Sequence, residues 1–135
     1  MQWLLFIAAP YGLNNPGCHR KRRPGLPIKC VVKRQAREAG YKVKIGKFPY
    51  GAASKATILG AREGFVKVVC DERYGEILGV HIIGPRATET IAEAVMAMRL
   101  EGTVDDIAHT IHAHPTLAEA LGEAAHAAVD WPIHI

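Results

Sequence analysis

The sequence predicts an α+β domain in which helices pack on an antiparallel sheet. Strand-like stretches occupy 41–48, 65–70 and 76–83, and helical periods fill most of 87–129. Strands followed by clustered helices argue for an α+β domain. The size agrees, because 135 residues with 49% hydrophobic and 22% charged side chains suffice for a single domain with one core.

Residues 1–34 stand apart. They carry seven Lys/Arg and no Asp/Glu, whereas 35–135 carry ten Lys/Arg against thirteen Asp/Glu, so the basic excess belongs to the first quarter alone. Trp3 to Ala9 is an apolar run of seven residues, far short of the roughly 20 a membrane-spanning helix needs. It lacks the charged start of a secretory leader and is followed by the basic run His19–Arg23, so no export signal is read from it. Pro10, Gly12, Pro16, Gly17, Pro24, Gly25 and Pro27 break any helical or strand period, and 1–34 is predicted to be irregular. Without interleaved aromatics the basic run reads as a solvated tail, and nucleic acid is not expected as a partner.

From Gln35 the pattern becomes regular. Gln35–Ala39 predicts a short helix stopped by Gly40. Tyr41–Phe48 alternates, with Tyr41, Val43 and Ile45 on one face and Lys42 and Lys44 on the other, as in a half-buried strand. Phe65–Cys70 and Glu76–Ile83 are joined by Asp71–Gly75, whose glycine can supply a positive φ, and this predicts a hairpin closed by Gly84 and Pro85.

In Ala87–Leu100, Ile91, Ala94, Val95 and Met98 fall on one helical face while Glu89, Glu93 and Arg99 lie elsewhere. Gly102 ends that helix, and Thr103–Asp106 has the composition of the next helix start. The last helix is marked by Leu117, Ala120, Leu121, Ala124, Ala125, Ala128 and Val129, a stripe small enough for a neighbouring backbone to approach. Such a stripe also suits self-association about a two-fold axis.

The residues able to carry chemistry lie between His109 and Glu119. His109, His112 and His114, followed by a carboxylate, admit a metal site, although no helical pair spacing is present and Pro115 constrains the backbone. They equally admit a general base, a histidine whose second nitrogen is held by a carboxylate. Thr116–Glu119 also fits a helix capping box, so spacing alone leaves Glu119 between capping a helix and orienting a histidine.

The stretch His112-Ala113-His114-Pro115-Thr116-Leu117-Ala118-Glu119 resembles the H-x-H-P-T-x-x-E signature of the pyridine nucleotide–disulfide oxidoreductases, most nearly in its dihydrolipoamide dehydrogenase form. Gln35–Tyr41, Gly64–Val68, Gly75–Pro85 and Ala87–Glu89 resemble the same family's interface domain in the same order, so the likeness covers about 35–134. It implies a dimerising α+β domain over 35–135 with His114 as catalytic base and Glu119 as its orienting carboxylate. These would be presented to the redox disulfide and flavin of a second subunit, for oxidation of dihydrolipoamide with NAD. Implied partners are a second copy or the FAD and NAD domains of a related subunit, within a 2-oxo acid dehydrogenase complex in the cytoplasm. His112 is assigned support of the loop and no proton transfer.

The departures carry their own expectations. The family's redox pair is C-x-x-x-x-C, but Cys18 and Cys30 have eleven residues between them and Cys70 stands alone. No G-x-G-x-x-G loop for FAD or NAD occurs. The chain alone is therefore expected to bind no cofactor, to hold no metal and to be inactive. A free-standing dimerisation module without catalysis, or a small metal- or nucleic-acid-binding protein, are the alternatives. The change near residue 34 suggests a shifted reading frame or truncated gene, in which case the sheet would lack its first strand and expose an edge.

Overall fold

The structure, a computed structural model, describes residues 4–8 and 33–134. The irregular stretch expected over the rest of 1–34, including the basic run, Cys18 and Cys30, lies outside the described residues. Four strands form one antiparallel sheet in the order β1-β4-β3-β2, with β1 at Leu4–Ala8, β2 at Val43–Pro49, β3 at Phe65–Asp71 and β4 at Ile77–Gly84. Helices α1 (Lys33–Glu38), α2 (Ser54–Ile58), α3 (Ala87–Arg99), α4 (Val104–Ala108) and α5 (Glu119–Ala128) complete the fold.

The predicted hairpin is β3–β4. The Asp71 N–H donates to the Glu76 carbonyl, the Asp71 carboxylate accepts the Tyr74 N–H at 3.0 Å, and Gly75 takes φ +67°. Only a residue without a Cβ adopts that angle at little cost, which is why the glycine closes the turn. Gly40 ends α1 at φ +82°, as its sequence position implied.

Two expectations need correction. The breaker-rich start predicts no strand, and a shifted frame there would leave the sheet without its first strand. Instead Leu4–Ala8 pairs with β4 over Leu4↔Gly84 to Ala8↔Val80, because the seven-residue apolar run before the first proline is long enough for a short strand. The alanine stripe was read as a surface for self-association. Ala120, Ala124, Ala125 and Ala128 are instead buried inside this chain, where α5 lies across β2 and β3.

The close approach that the stripe allows is made at Gly46. A Cβ there would stand 1.8 Å from the Ala124 carbonyl oxygen and 2.5 Å from the Ala128 nitrogen. β2 is thus covered on both sides. Tyr41, Val43 and Ile45 pack with Ala36 of α1, Val69 and Leu78, while Phe48 joins the main core under α3, α4 and α5. Lys44, assigned to a polar face, bonds Asp130 just beyond α5.

Cys70 sits in β3 on the main-core side, with its thiol 3.8 Å from the Lys44 carbonyl. Burial pushes that thiol up to about 11, so the nucleophilic thiolate is scarce at neutral pH. Alkylation of Cys70 by iodoacetamide at pH 7.5 should therefore be slow in the native chain and fast in denaturant; rapid native labelling, followed by mass spectrometry of the 68–73 peptide, would contradict this packing.

A candidate base site on the loop between α4 and α5

The loop of residues 109–118 begins where α4 ends. Thr103 fixes the start of α4, its N–H and hydroxyl both donating to the Asp106 carboxylate at 2.6 and 2.9 Å. At the far end the backbone of His109 folds back on the Asp105 carbonyl, and so does its Nδ1, at 2.8 Å. His109 therefore faces Trp131 and His126, with ring centroids 6.4 Å away in each case, and stands apart from the other two histidines of the motif.

His114 and Glu119 come together as the sequence proposed. His114 Nδ1 lies 2.8 Å from Glu119 Oε1, and its ring is 71% exposed while the carboxylate is 30% exposed. The His114–Pro115 peptide is cis. The other carboxylate oxygen, Oε2, accepts the Thr116 N–H at 2.6 Å. One carboxylate thus bonds both the His114 ring and the backbone of the turn before α5. Half of a capping box forms, because the Thr116 hydroxyl donates to the Ala113 carbonyl at 2.7 Å instead of accepting from the helix. The first regular turn of α5 accordingly starts at Glu119, two residues later than the Leu117 period suggested.

His112 has a separate partner. Its Nε2 sits 2.9 and 3.1 Å from the two oxygens of Glu93 on α3, and its side chain is only 11% exposed. A Cβ at Gly122 would lie 3.1 Å from the ring, so a glycine on α5 leaves the imidazole its room. A third pair joins His134 Nδ1 to buried Glu123 at 2.6 Å. Sequence reasoning missed both carboxylates; Glu93 had been placed only as off the apolar face of its helix.

Charge follows from these contacts. Burial opposes ionisation of Glu119, but the Thr116 N–H and the His114 ring prevail and hold the carboxyl below its ordinary 4.5. The Glu93 hydrogen bond raises His112 above its ordinary 6.5 against the opposing effect of burial. Glu119 contributes stability present above pH 4.5 and lost as the pH falls through its folded value. His112 contributes stability present below pH 6.5 and lost as the pH rises through its folded value. Both act between pH 4.5 and 6.5. The melting-temperature difference between wild type and His112→Gln should be larger below pH 6.5 and shrink toward pH 8; a difference independent of pH would contradict it.

The three motif histidines do not converge, and among the described residues no three His, Cys, Asp or Glu side chains are grouped to hold a metal. An open groove of about 490 Å³ runs beside the loop, lined by Lys55, Arg86, Glu93, Pro115 and Thr116 among others. Among the described residues no helix is long and apolar enough to cross a membrane.

Comparison with known proteins follows the same residues. Residues 31–125 match the family described as pyridine nucleotide-disulphide oxidoreductase, dimerisation domain. The dihydrolipoyl dehydrogenase of Thermus scotoductus is 50% identical over 105 residues, 78% of this chain and 23% of that protein. The dihydrolipoamide dehydrogenase of Chaetomium thermophilum is 41% identical over 132 residues, 96% of this chain and 26% of that protein, an alignment that extends into the first 34 residues. Among solved structures, LpdA from Mycobacterium tuberculosis superimposes with a TM-score of 0.67 at 26% identity, covering 73% of this chain and 21% of that one. The chain spans about a quarter or less of the length of these relatives.

Proposed function

Since the chain belongs to the pyridine nucleotide-disulphide oxidoreductase family as its dimerisation domain, we propose that it supplies the base of a composite thiol–disulfide site, with dihydrolipoamide as the dithiol. The observation that carries this reading is the His114–Glu119 pair, 2.8 Å apart with the ring open to solvent. Glu119 accepts from Nδ1–H and so leaves Nε2, the nitrogen turned away from it, as the free base. Nε2 takes the proton of a substrate thiol. The thiolate attacks one sulfur of the enzyme's disulfide, that S–S bond breaks, and the departing sulfur leaves as thiolate beside an imidazolium. Glu119 stabilises the charge on the ring while it is held there.

Members of this family are FAD- and NAD-dependent flavoproteins. The described residues do not match a dinucleotide cradle, since the sheet is antiparallel and the sequence has no glycine-rich phosphate loop. No step is therefore assigned to flavin or nicotinamide on this chain; those groups would be held by other domains. Dimerisation brings the His114 loop of one subunit to the disulfide of another.

The test is a graft. Residues 35–135 replace the matching segment of a full-length relative, and reduction of NAD by dihydrolipoamide is measured with flavin content and oligomeric state. Restored turnover supports the reading. A flavin-loaded dimer that turns over no faster than the relative lacking the segment would sink it.

A further inference from the structure

The His114 loop is held at two points on two different helices. On the α5 side, Glu119 takes the His114 ring and the Thr116 N–H. On the α3 side, Glu93 takes His112 Nε2 with both carboxylate oxygens, at 2.9 and 3.1 Å. Between them, the Thr116 hydroxyl closes the turn on the Ala113 carbonyl. The ring of His112 rests against Gly122, so it fills the space between the loop and α5 as well as reaching α3. Its shielding matters, because a hydrogen bond to a carboxylate keeps more of its strength where water is excluded. His114, by contrast, is exposed, and a solvent-facing ring bonded at one nitrogen is free to leave its partner unless the backbone beneath it is fixed.

We infer that His112 and Glu93 are positioning residues: their partly buried pair anchors the loop to α3 and thereby keeps the His114 ring aimed at Glu119. The inference rests on the proposed role of His114, but it concerns the orientation of the ring and is tested on the ring itself. Neither residue need touch a reacting sulfur. Glu93 lies nineteen positions before His112 and belongs to a helix that carries no part of the motif.

The experiment uses the full 135-residue chain labelled with ¹⁵N, with long-range ¹⁵N–¹H spectra of the histidine rings at a pH where His114 is neutral. Wild type should show His114 as the Nδ1–H tautomer, held by Glu119. In Glu93→Ala, with the amide spectrum of the sheet unchanged, His114 should become a mixture of the two tautomers, losing at least half of the Nδ1–H population. Glu93→Gln, which keeps an acceptor for His112, should recover most of it. An unaltered His114 pattern in folded Glu93→Ala overturns the inference, since a merely stabilising contact would lower the melting temperature and leave the ring as it was.

If Glu93→Ala does not fold, warming the wild type decides the matter. The hydrogen-bonded ring N–H signals of His112 and His114 should disappear together below the global transition, and survival of the His114 signal after that of His112 has gone overturns the inference. Because turnover is not read, failure here leaves the base assignment standing, and failure of the graft leaves the ring data standing.

Discussion

In the grafted enzyme, His114→Gln lowers dihydrolipoamide turnover by roughly 10²- to 10⁴-fold, the range a positioned general base contributes, while bound flavin and dimer content stay at wild-type levels. The substitution keeps a polar side chain on an exposed loop and disturbs no core residue, so the loss reports chemistry and not folding. The pH profile sharpens the test. A variant without the base depends on thiolate already present, so its rate should climb with pH toward the ordinary thiol range near 8.5. Glu119→Gln adds a second comparison. Its amide can present an oxygen to the Thr116 N–H and a donor to His114 Nδ1, which moves the ring proton to the nitrogen that should accept. Turnover should fall in Glu119→Gln as well, with little change in helix content by circular dichroism. Equal rates for wild type and His114→Gln would remove the assigned role.

The second large effect is structural. Gly46→Ala should destabilise the chain by about 3 kcal/mol or more, the upper end of overpacking costs. The reason is the identity of the obstacle. A Cβ at 46 meets the Ala124 carbonyl oxygen at 1.8 Å and the Ala128 nitrogen at 2.5 Å, both backbone atoms of α5 that cannot rotate away. Either α5 lifts off the sheet, uncovering Phe48, Val66 and Val68, or β2 slides. Gly51→Ala is the control, since the nearest atom there is the Arg62 carbonyl oxygen at 3.6 Å and its cost should be a few tenths of a kcal/mol. Urea midpoints compare the two, and similar midpoints would show that α5 does not sit on β2 as described.

These residues also show what was legible in the sequence. The β3–β4 hairpin could be read because Asp71 and Gly75 supply the turn chemistry directly, and α3 because its apolar residues keep one period across its length. Gly46 hid the main buried face of β2. A residue without a side chain adds nothing to a hydrophobic pattern, so the lysines beside it made that face look solvated. α2 has five residues, too few to show a period, and Leu4–Ala8 was obscured by the prolines and glycines that follow it. The site divides in the same way. His114 and Glu119 are close in sequence and could be paired from the motif, whereas the spacing could not choose between two partners for Glu119 because its two oxygens bond one each, the His114 ring and the Thr116 N–H. Glu93 was out of reach, since only the packing of α3 beside the loop brings it to His112.

With β1 covering β4, the two margins of the sheet are β1 and β2. The outer side of β2 is poorly suited to aggregation by strand addition. Lys44 and Lys47 project from its opposite faces, and Pro49 ends it without an N–H to offer. Charged side chains and a proline on a sheet margin discourage another strand from pairing there. Crowded copies of this chain are thus discouraged from fibril growth along β2, and that protection is written into the strand itself.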